Sequence, residues 1–466
     1  MSELFLAVVG GQVVSENGSF AADIGIQNGK IHQIAMPGGL GPAEKTINAS
    51  GLLVLPGAID IHWHCRAPAY PERGDFATET RAAAAGGVTT VFEMPISKPG
   101  CATPEILRSR RSLGEKDSYV NFGLFGAPGT LNREDVLGMA EEGAIGFKIF
   151  MHPPHPGRED EFHGLCIPDE GDLYQALTLV KETGLRCTVH AESAQLLAYF
   201  SEIIRRSGRT DIMAHIDGRP AVIEAIAIAK LILMMDEIGV SIHIAHLSSR
   251  AGLELIRRAQ GRGLPITAET CPQYLFFDKS AMRTLGPYAK INPPLRERED
   301  VEALWEGLQD RTIAAVTTDH SPFLPEEKER GWDNIWLAAS GAPGVETFVP
   351  LMMEAAANGR LAVEDVVRLI STNPARLFGL YPQKGVIQPG SDADLTRFDP
   401  QQEWTVDPKD MHSKARFIDR FYSGMKFKGT VVSTIVSGME VYHRGKIVGE
   451  RGGGRFVHPQ NLAQLA

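Results

Sequence analysis

Apolar runs of strand length and longer periodic segments divide the chain into three stretches. Over the first 55 or so residues the runs 6–14, 24–34 and 52–55 read as strands, and Asn28-Gly29 breaks the second with a dipeptide typical of two-residue hairpins. The same texture returns at 393–398, 430–436, 441–442 and 447–448, with Arg444-Gly445-Lys446 as a second turn. The two β-rich ends therefore predict one small domain built from both termini. Between them lie eight strand-like runs, 59–64, 89–95, 120–126, 146–151, 186–191, 241–247, 266–270 and 314–319. Helical patterns at 76–85, 135–142, 173–183, 220–238, 252–259 and 301–308 separate them. Eight alternating β and α units predict an α/β fold of the (β/α)8 type, a parallel barrel. The expected boundaries are 1–55 and 381–466 for the terminal domain and 56–380 for the barrel.

In such a barrel the reactive side chains stand at the C-terminal ends of the strands. The first strand ends Asp60-Ile61-His62-Trp63-His64, and alternation puts His62 and His64 on one face. One H-x-H fits two hydrogen-bonded polar residues at a strand end as well as it fits a metal site. Four further strand ends carry similar groups: Lys148 within an apolar strand, His190 with Glu192, His246 followed by Leu247-Ser248, and Asp319-His320-Ser321-Pro322. Taken singly, the lysine could pair with a carboxylate, each histidine could be a satisfied core residue, and Asp319 could cap a helix. Coincidence at corresponding ends of five strands is harder to sustain. Imidazole and carboxylate are ordinary ligands for zinc-like ions. A cationic lysine would repel two such ions unless carbon dioxide converted it to an anionic carbamate. The pattern thus points to one ion on His62, His64 and Asp319, a second on His190 and His246, and carbamylated Lys148 between them. A metal-activated hydroxide would be the nucleophile.

Composition narrows the class. With 47 basic against 57 acidic residues the formal charge is −10, which disfavours nucleic acid as a partner. The most apolar long segment, 221–240, contains Glu224, Lys230, Asp236 and Glu237 and reads as a buried helix, so no membrane association is expected. Glu3 stands where a signal peptide would be basic. The five cysteines, odd in number and never spaced C-x-x-C, predict free thiols in a reducing cytoplasm.

The ordered set His62-x-His64, Gly146-Phe147-Lys148, His190, Ala245-His246-Leu247-Ser248-Ser249 and Asp319-His320-Ser321-Pro322 resembles the cyclic amidohydrolases. These are the dihydroorotases, allantoinases, hydantoinases and dihydropyrimidinases. Further stretches agree, among them R-A-A-A-A-G-G-V-T-T at 81–90, E-T-C-P-Q-Y-L at 269–275, N-P-P-L-R at 292–296 and N-P-A-R-L-F-G at 373–379. The resemblance implies a β-sandwich from the two termini, two divalent ions with zinc as the first expectation, and a homo-oligomer, tetramer or dimer. It also implies that Asp319 moves the proton from the attacking water to the leaving nitrogen, and that Asn292, Ser340 and Gly341 bind the amide edges of the ring.

The substrate signals conflict. Arg66 matches the dihydroorotase arginine that binds a substrate carboxylate, but Met94-Pro95-Ile96-Ser97 stands where those enzymes have Met-Pro-Asn-Thr. Pro153 stands where hydantoinases and dihydropyrimidinases place a tyrosine, and Asp319-His320-Ser321-Pro322 reads as in allantoinases. The expectation is a metal-dependent hydrolase opening a small cyclic ureide or imide, allantoinase- or hydantoinase-like. A dihydroorotase is the alternative within the family, and a non-catalytic hydantoinase-like scaffold the alternative outside it. The insert 152–163, with His152, His155 and His163, is expected to cover the pocket mouth without forming a third metal site. His243 is assigned to packing and His215 to an interface.

Overall fold

The computed structural model describes residues 4–154 and 157–460. At the N-terminus, β1 (Leu4–Ser15), β2 (Gly18–Gln27), β3 (Lys30–Ala35), β4 (Ala43–Asn48) and β5 (Leu53–Pro56) belong to one sheet. The turn between β2 and β3 is Asn28-Gly29, both at positive φ (52° and 74°), as a hairpin whose turn follows the sheet twist requires. The chain then enters the barrel through β6 (Ala58–Trp63), β7 (Val88–Glu93), β8 (Asn121–Gly126), β9 (Gly146–Phe150), β10 (Cys187–His190), β11 (Ile242–Ile244), β12 (Ile266–Thr270) and β13 (Ala315–Val316). It returns to the terminal sheet as β14 (Leu395–Thr405), β15 (Lys426–Val436), β16 (Met439–His443) and β17 (Lys446–Ile447). The join is the antiparallel pairing of β14 with β5, which makes one nine-stranded, mostly antiparallel sheet from both ends.

The eight barrel strands pair in sequence, all parallel. Between β13 and β6 the ring is drawn together by a bridge of Trp63 to His320, by His64 N–H on the His320 carbonyl at 2.9 Å, and by Thr318 N–H on Asp60 Oδ1 at 3.1 Å. Two strands stop short of their apolar runs. β11 ends at Ile244 and β13 at Val316, and shortly beyond them His246 (φ 35°) and Asp319 (φ 47°) hold the left-handed conformation, which cannot continue a pleated strand. Arg66 does the same after β6 (φ 65°). Backbone of this kind costs a non-glycine residue about 1–3 kcal/mol and gathers where function requires it.

The six expected helices are present, for example Phe76–Ala85, where Asp75 and Thr78 form a reciprocal cap, and Val222–Ile238. The helix Pro104–Asp117 was not legible as an apolar pattern, since it buries only Leu107, Arg110 and Gly114. Its anchor is a buried ion pair, Arg110 Nη1 to Glu93 Oε2 at 2.7 Å. No helix among the described residues is long and apolar enough to cross a membrane.

Beneath the catalytic end the barrel has an aromatic floor. The turn after Asn373–Leu377 inserts Phe378, fully buried, edge-on to Phe92 (5.2 Å), Phe125 (5.6 Å) and His243 (6.1 Å). Truncating it leaves a cavity under His243, so Phe378→Ala is expected to destabilise the fold by about 3–5 kcal/mol, read from the denaturant midpoint.

Candidate metal centre

The structure brings five of the six expected metal-site residues, and all four expected ring contacts, to one cavity. His62, His64, His190, His246 and Asp319 line it together with Arg66, Asn292, Ser340 and Gly341. The sixth, Lys148, is fully buried on β9, the strand that also brings Phe150 to the cavity. Among the described residues no acceptor lies within hydrogen-bonding reach of its Nζ, and none of their carboxylates pairs with it. Burial pushes its pKa down to about 8, against the pull of Glu269 and Asp319.

Buried carboxylates set the orientation of the histidines. Glu269 Oε1 accepts from His62 Nδ1 at 2.5 Å, which turns the lone pair of Nε2 toward Asp319 Oδ1, 3.4 Å away. His64 Nε2 faces the same oxygen at 3.2 Å. Glu192 Oε2 accepts from His190 Nε2 at 2.7 Å, so His190 Nδ1 presents its lone pair to His246 Nε2 at 2.9 Å. Burial alone would protonate these two glutamates. His62 and His243 around Glu269, and Arg219 and His190 around Glu192, overcome burial and hold both well below the usual carboxylate range. Burial pushes His190 down to about 3, and His64 and His246 well below their ordinary value, so these three rings are neutral and ligand-ready near pH 7.

This donor set fits divalent ions. A lone pair aimed at a carboxylate oxygen is repulsive unless a cation stands between them. Ligands at about 2.0–2.1 Å around a tetrahedral zinc-like ion lie about 3.3 Å apart, close to the separations of His62, His64 and Asp319. The carboxylate–histidine pairs are the outer support such ligands need.

Some placements differ from the sequence reading. His243 is more than packing: its Nε2 donates to Glu269 Oε2 at 3.1 Å while Nδ1 meets Thr267 Oγ1 at 2.8 Å, so it braces the carboxylate that orients His62. His215 is not at a surface; it is 2% exposed, and its Nε2 donates to the Ile291 carbonyl at 2.9 Å, next to Asn292. Gly341 N–H donates to the Lys290 carbonyl at 3.0 Å and the Ala342 carbonyl accepts from Ser321 N–H at 2.9 Å, so these two groups are engaged within the protein, while Ser340 and Gly341 line the cavity. From the insert, His152, Arg158 and Phe162 line the cavity, His163 is exposed, and His155 lies outside the described residues. His152 also lies near His190 and Glu192. Glu192, however, is bound by both His190 and Arg219, which makes it an orienting group in preference to a third ligand site.

The supporting roles of three carboxylates went unread in the sequence. Asp60 stands two residues before His62 on β6 and Glu192 two residues after His190, just past the end of β10, a spacing that could have revealed them. Glu269 has no histidine on its own strand, so only the closure of the barrel places it between His62 and His243.

Comparison with known proteins agrees with this geometry. The sequence model of the amidohydrolase family matches residues 53–441. An allantoinase of Rubrobacter xylanophilus is 38% identical over 465 residues, 99% of each chain. An L-hydantoinase of Paenarthrobacter aurescens is 34% identical over 452 residues, 97% of each. Among solved structures, the L-hydantoinase (dihydropyrimidinase) from Arthrobacter aurescens superimposes with a TM-score of 0.92 at 34% identity, covering 98% of this chain and 100% of that one.

If Glu269 fixes His62 as described, Glu269→Gln should weaken metal binding about 10–100-fold. Metal retained after equilibration against graded chelator buffers measures this, with circular dichroism confirming an unchanged fold.

Proposed function

The chain belongs to the amidohydrolase family and is a hydrolase of cyclic amides, and we propose that it opens the amide bond of a small neutral cyclic ureide or imide, in the manner of its relatives named allantoinase and hydantoinase. In this reading His62, His64 and Asp319 would hold one divalent ion and His190 and His246 the other, with Lys148, carbamylated, as a ligand shared by both. Such ions, zinc foremost, would supply an activated water and polarisation of the scissile carbonyl. Asp319, at the cavity wall, would accept a proton from the attacking water on its free carboxylate oxygen and return it to the leaving ring nitrogen. Glu269 and Glu192 keep His62 and His190 in the ligating tautomer. Asn292 and Ser340, with the Gly341 backbone, receive the amide edges of the ring, while Ile96, Phe150 and Phe162 bound it with apolar surface.

The observation that carries this reading is the convergence of His62 Nε2 and His64 Nε2 on Asp319 Oδ1, at 3.4 and 3.2 Å, beside a buried lysine without a hydrogen-bond partner among the described residues. The barrel, taken as residues 56–380, holds all of these groups, and the described residues of 1–55 and 381–466 make the terminal sheet domain and its tail. The five cysteines are free, in keeping with a reducing cytoplasm, and a homo-oligomer, dimer or tetramer, belongs to the same reading.

One observation favours the second reading, a dihydroorotase-like anionic ring. Arg66 is 3% exposed, lines the cavity and stacks on Phe323 at 4.7 Å. Its Nη2 donates to Ser321 Oγ at 2.7 Å while Nε has no acceptor. Burial, with Arg158 next, lowers its pKa to about 9, and a buried guanidinium without a carboxylate favours an anionic ligand.

Turnover of allantoin, hydantoin, dihydrouracil, a simple cyclic imide and dihydroorotate by the metal-replete protein separates the readings. We expect a neutral ring to exceed dihydroorotate at least tenfold in kcat/KM; the reverse order selects the second reading. Lys148→Ala should lose both bound metal, by elemental analysis, and turnover. A scaffold would keep its assembly state and show no turnover even as wild type.

A further inference from the structure

Two lysines outside the metal centre are buried without a carboxylate. Lys328 is fully buried and Lys290 is 6% exposed, and neither forms an ion pair among the described residues. Each amine instead makes two hydrogen bonds to backbone carbonyls. Lys290 Nζ donates to Ile335 O at 2.8 Å and Ala338 O at 2.6 Å. Lys328 Nζ donates to Lys290 O and Ala339 O, both at 3.0 Å. The Glu327 carboxylate next in the chain is taken up by Arg73, at 2.5 and 3.0 Å, and by Leu324 N–H.

Those four bonds join two segments that face the cavity. One runs through Lys290 and Ile291 to Asn292; the other runs from Ile335 to Ser340 and Gly341. The first is pinned on both sides of Asn292 as well, by His215 on the Ile291 carbonyl at 2.9 Å and by the Tyr274 hydroxyl on the Pro293 carbonyl at 2.6 Å. The second, a 3-10 turn, Ile335–Leu337, followed by irregular chain, is held from other sides, by Ile335 N–H on the Thr210 carbonyl at 3.0 Å, Trp336 Nε1 on the Arg209 carbonyl at 2.9 Å, Ala339 N–H on the Glu327 carbonyl at 2.9 Å and Ser321 N–H on the Ala342 carbonyl at 2.9 Å, none of which fixes it to the first segment. Besides the lysines, Gly341 N–H on Lys290 O at 3.0 Å links the segments.

We propose that Lys290 and Lys328 are a buried clamp whose amines hold the Ser340 loop in register with Asn292, and so set the separation of the two groups that grip opposite edges of the substrate ring. They are positioning residues, since neither lines the cavity. The proposal rests on the reading of Asn292 and Ser340 as ring contacts. An uncharged amine has two N–H donors, matching the two carbonyls at each lysine, whereas an ammonium would bring a third donor with no acceptor into a dry site. Burial, with Arg219 and Arg205 adding to it, pushes Lys290 down to about 7, and burial with Lys290 beside it holds Lys328 well below the ordinary range for lysine. A carboxylate-paired lysine would instead tie the loop to a flexible side chain; here the anchor at each end is backbone.

The test is Lys328→Met in the full-length, metal-replete protein, with Lys290→Met as the second variant should the first fail to fold. Hydrogen exchange by mass spectrometry should quicken at least tenfold in peptides spanning 335–342 while peptides from β6 and β9 exchange as in wild type. On whichever ring the wild type opens, KM should rise about tenfold with kcat within about twofold and metal content unchanged, the pattern of lost binding without lost chemistry. Unchanged exchange at 335–342 overturns the clamp. So does an unchanged KM in a variant whose loop has loosened, or a fall in kcat and metal content together, which would mark a general structural role. Failure of the underlying reading is distinct, because it appears as a wild type that opens no cyclic amide at all.

Discussion

An amine with no acceptor, closed inside a barrel of apolar strands, is the state around which this site is organised. Lys148 is fully buried and unpartnered, and a buried polar group left unsatisfied costs free energy that the surroundings must return. Around it stand imidazole nitrogens and one carboxylate that converge on the same space, with His64, His190 and His246 held neutral by burial. A site so composed is incomplete without cations, and the fold tolerates it because the remainder of the barrel is well packed. The aromatic floor of Phe378, Phe92 and Phe125 lies below it and the helices lie outside it.

The second level of organisation is electrostatic. Glu269 is shared by His62 and His243, and Glu192 by His190 and Arg219. Each carboxylate stays ionised in a dry interior because two donors embrace it, and each in return fixes which imidazole nitrogen faces the cavity. His320 is held in a related way: its Nε2 donates to Glu79 at 2.9 Å, and Glu79 also accepts from Ser413 Oγ at 2.5 Å. The C-terminal part of the chain is thus tied to the residue that follows Asp319, which connects the terminal domain mechanically to the reacting end of the barrel.

The cavity mouth is assembled differently, by arginines around one ring. Arg66, Arg73 and Arg158 approach Phe323 within 4.7, 5.2 and 5.7 Å. Arg73 is neutralised by Glu327 and Arg158 by Glu161. Among the described residues Arg66 alone of the three lacks a carboxylate partner. That balance of charges comes from the loop after β6, the segment after β13 and the insert after β9.

Much of this was legible in the chain itself. The eight apolar runs, the hairpin at Asn28-Gly29 and the return of strand texture after residue 393 reflect local rules of side-chain alternation and turn geometry, so barrel and terminal sheet could be read without coordinates. His62, His64, Lys148, His190, His246 and Asp319 were readable for the same reason: a polar group at the end of a buried strand is a local anomaly. What is not local had to await the tertiary structure. Glu269 reaches His62 across 207 positions, and His320 reaches Glu79 across 241. His215, Lys290 and Lys328 act through backbone carbonyls, which no residue pattern marks. Sequence determines which strands form and which side chains they carry inward; only closure of the barrel decides which carboxylate meets which histidine, because that pairing depends on distances between strands far apart in the chain.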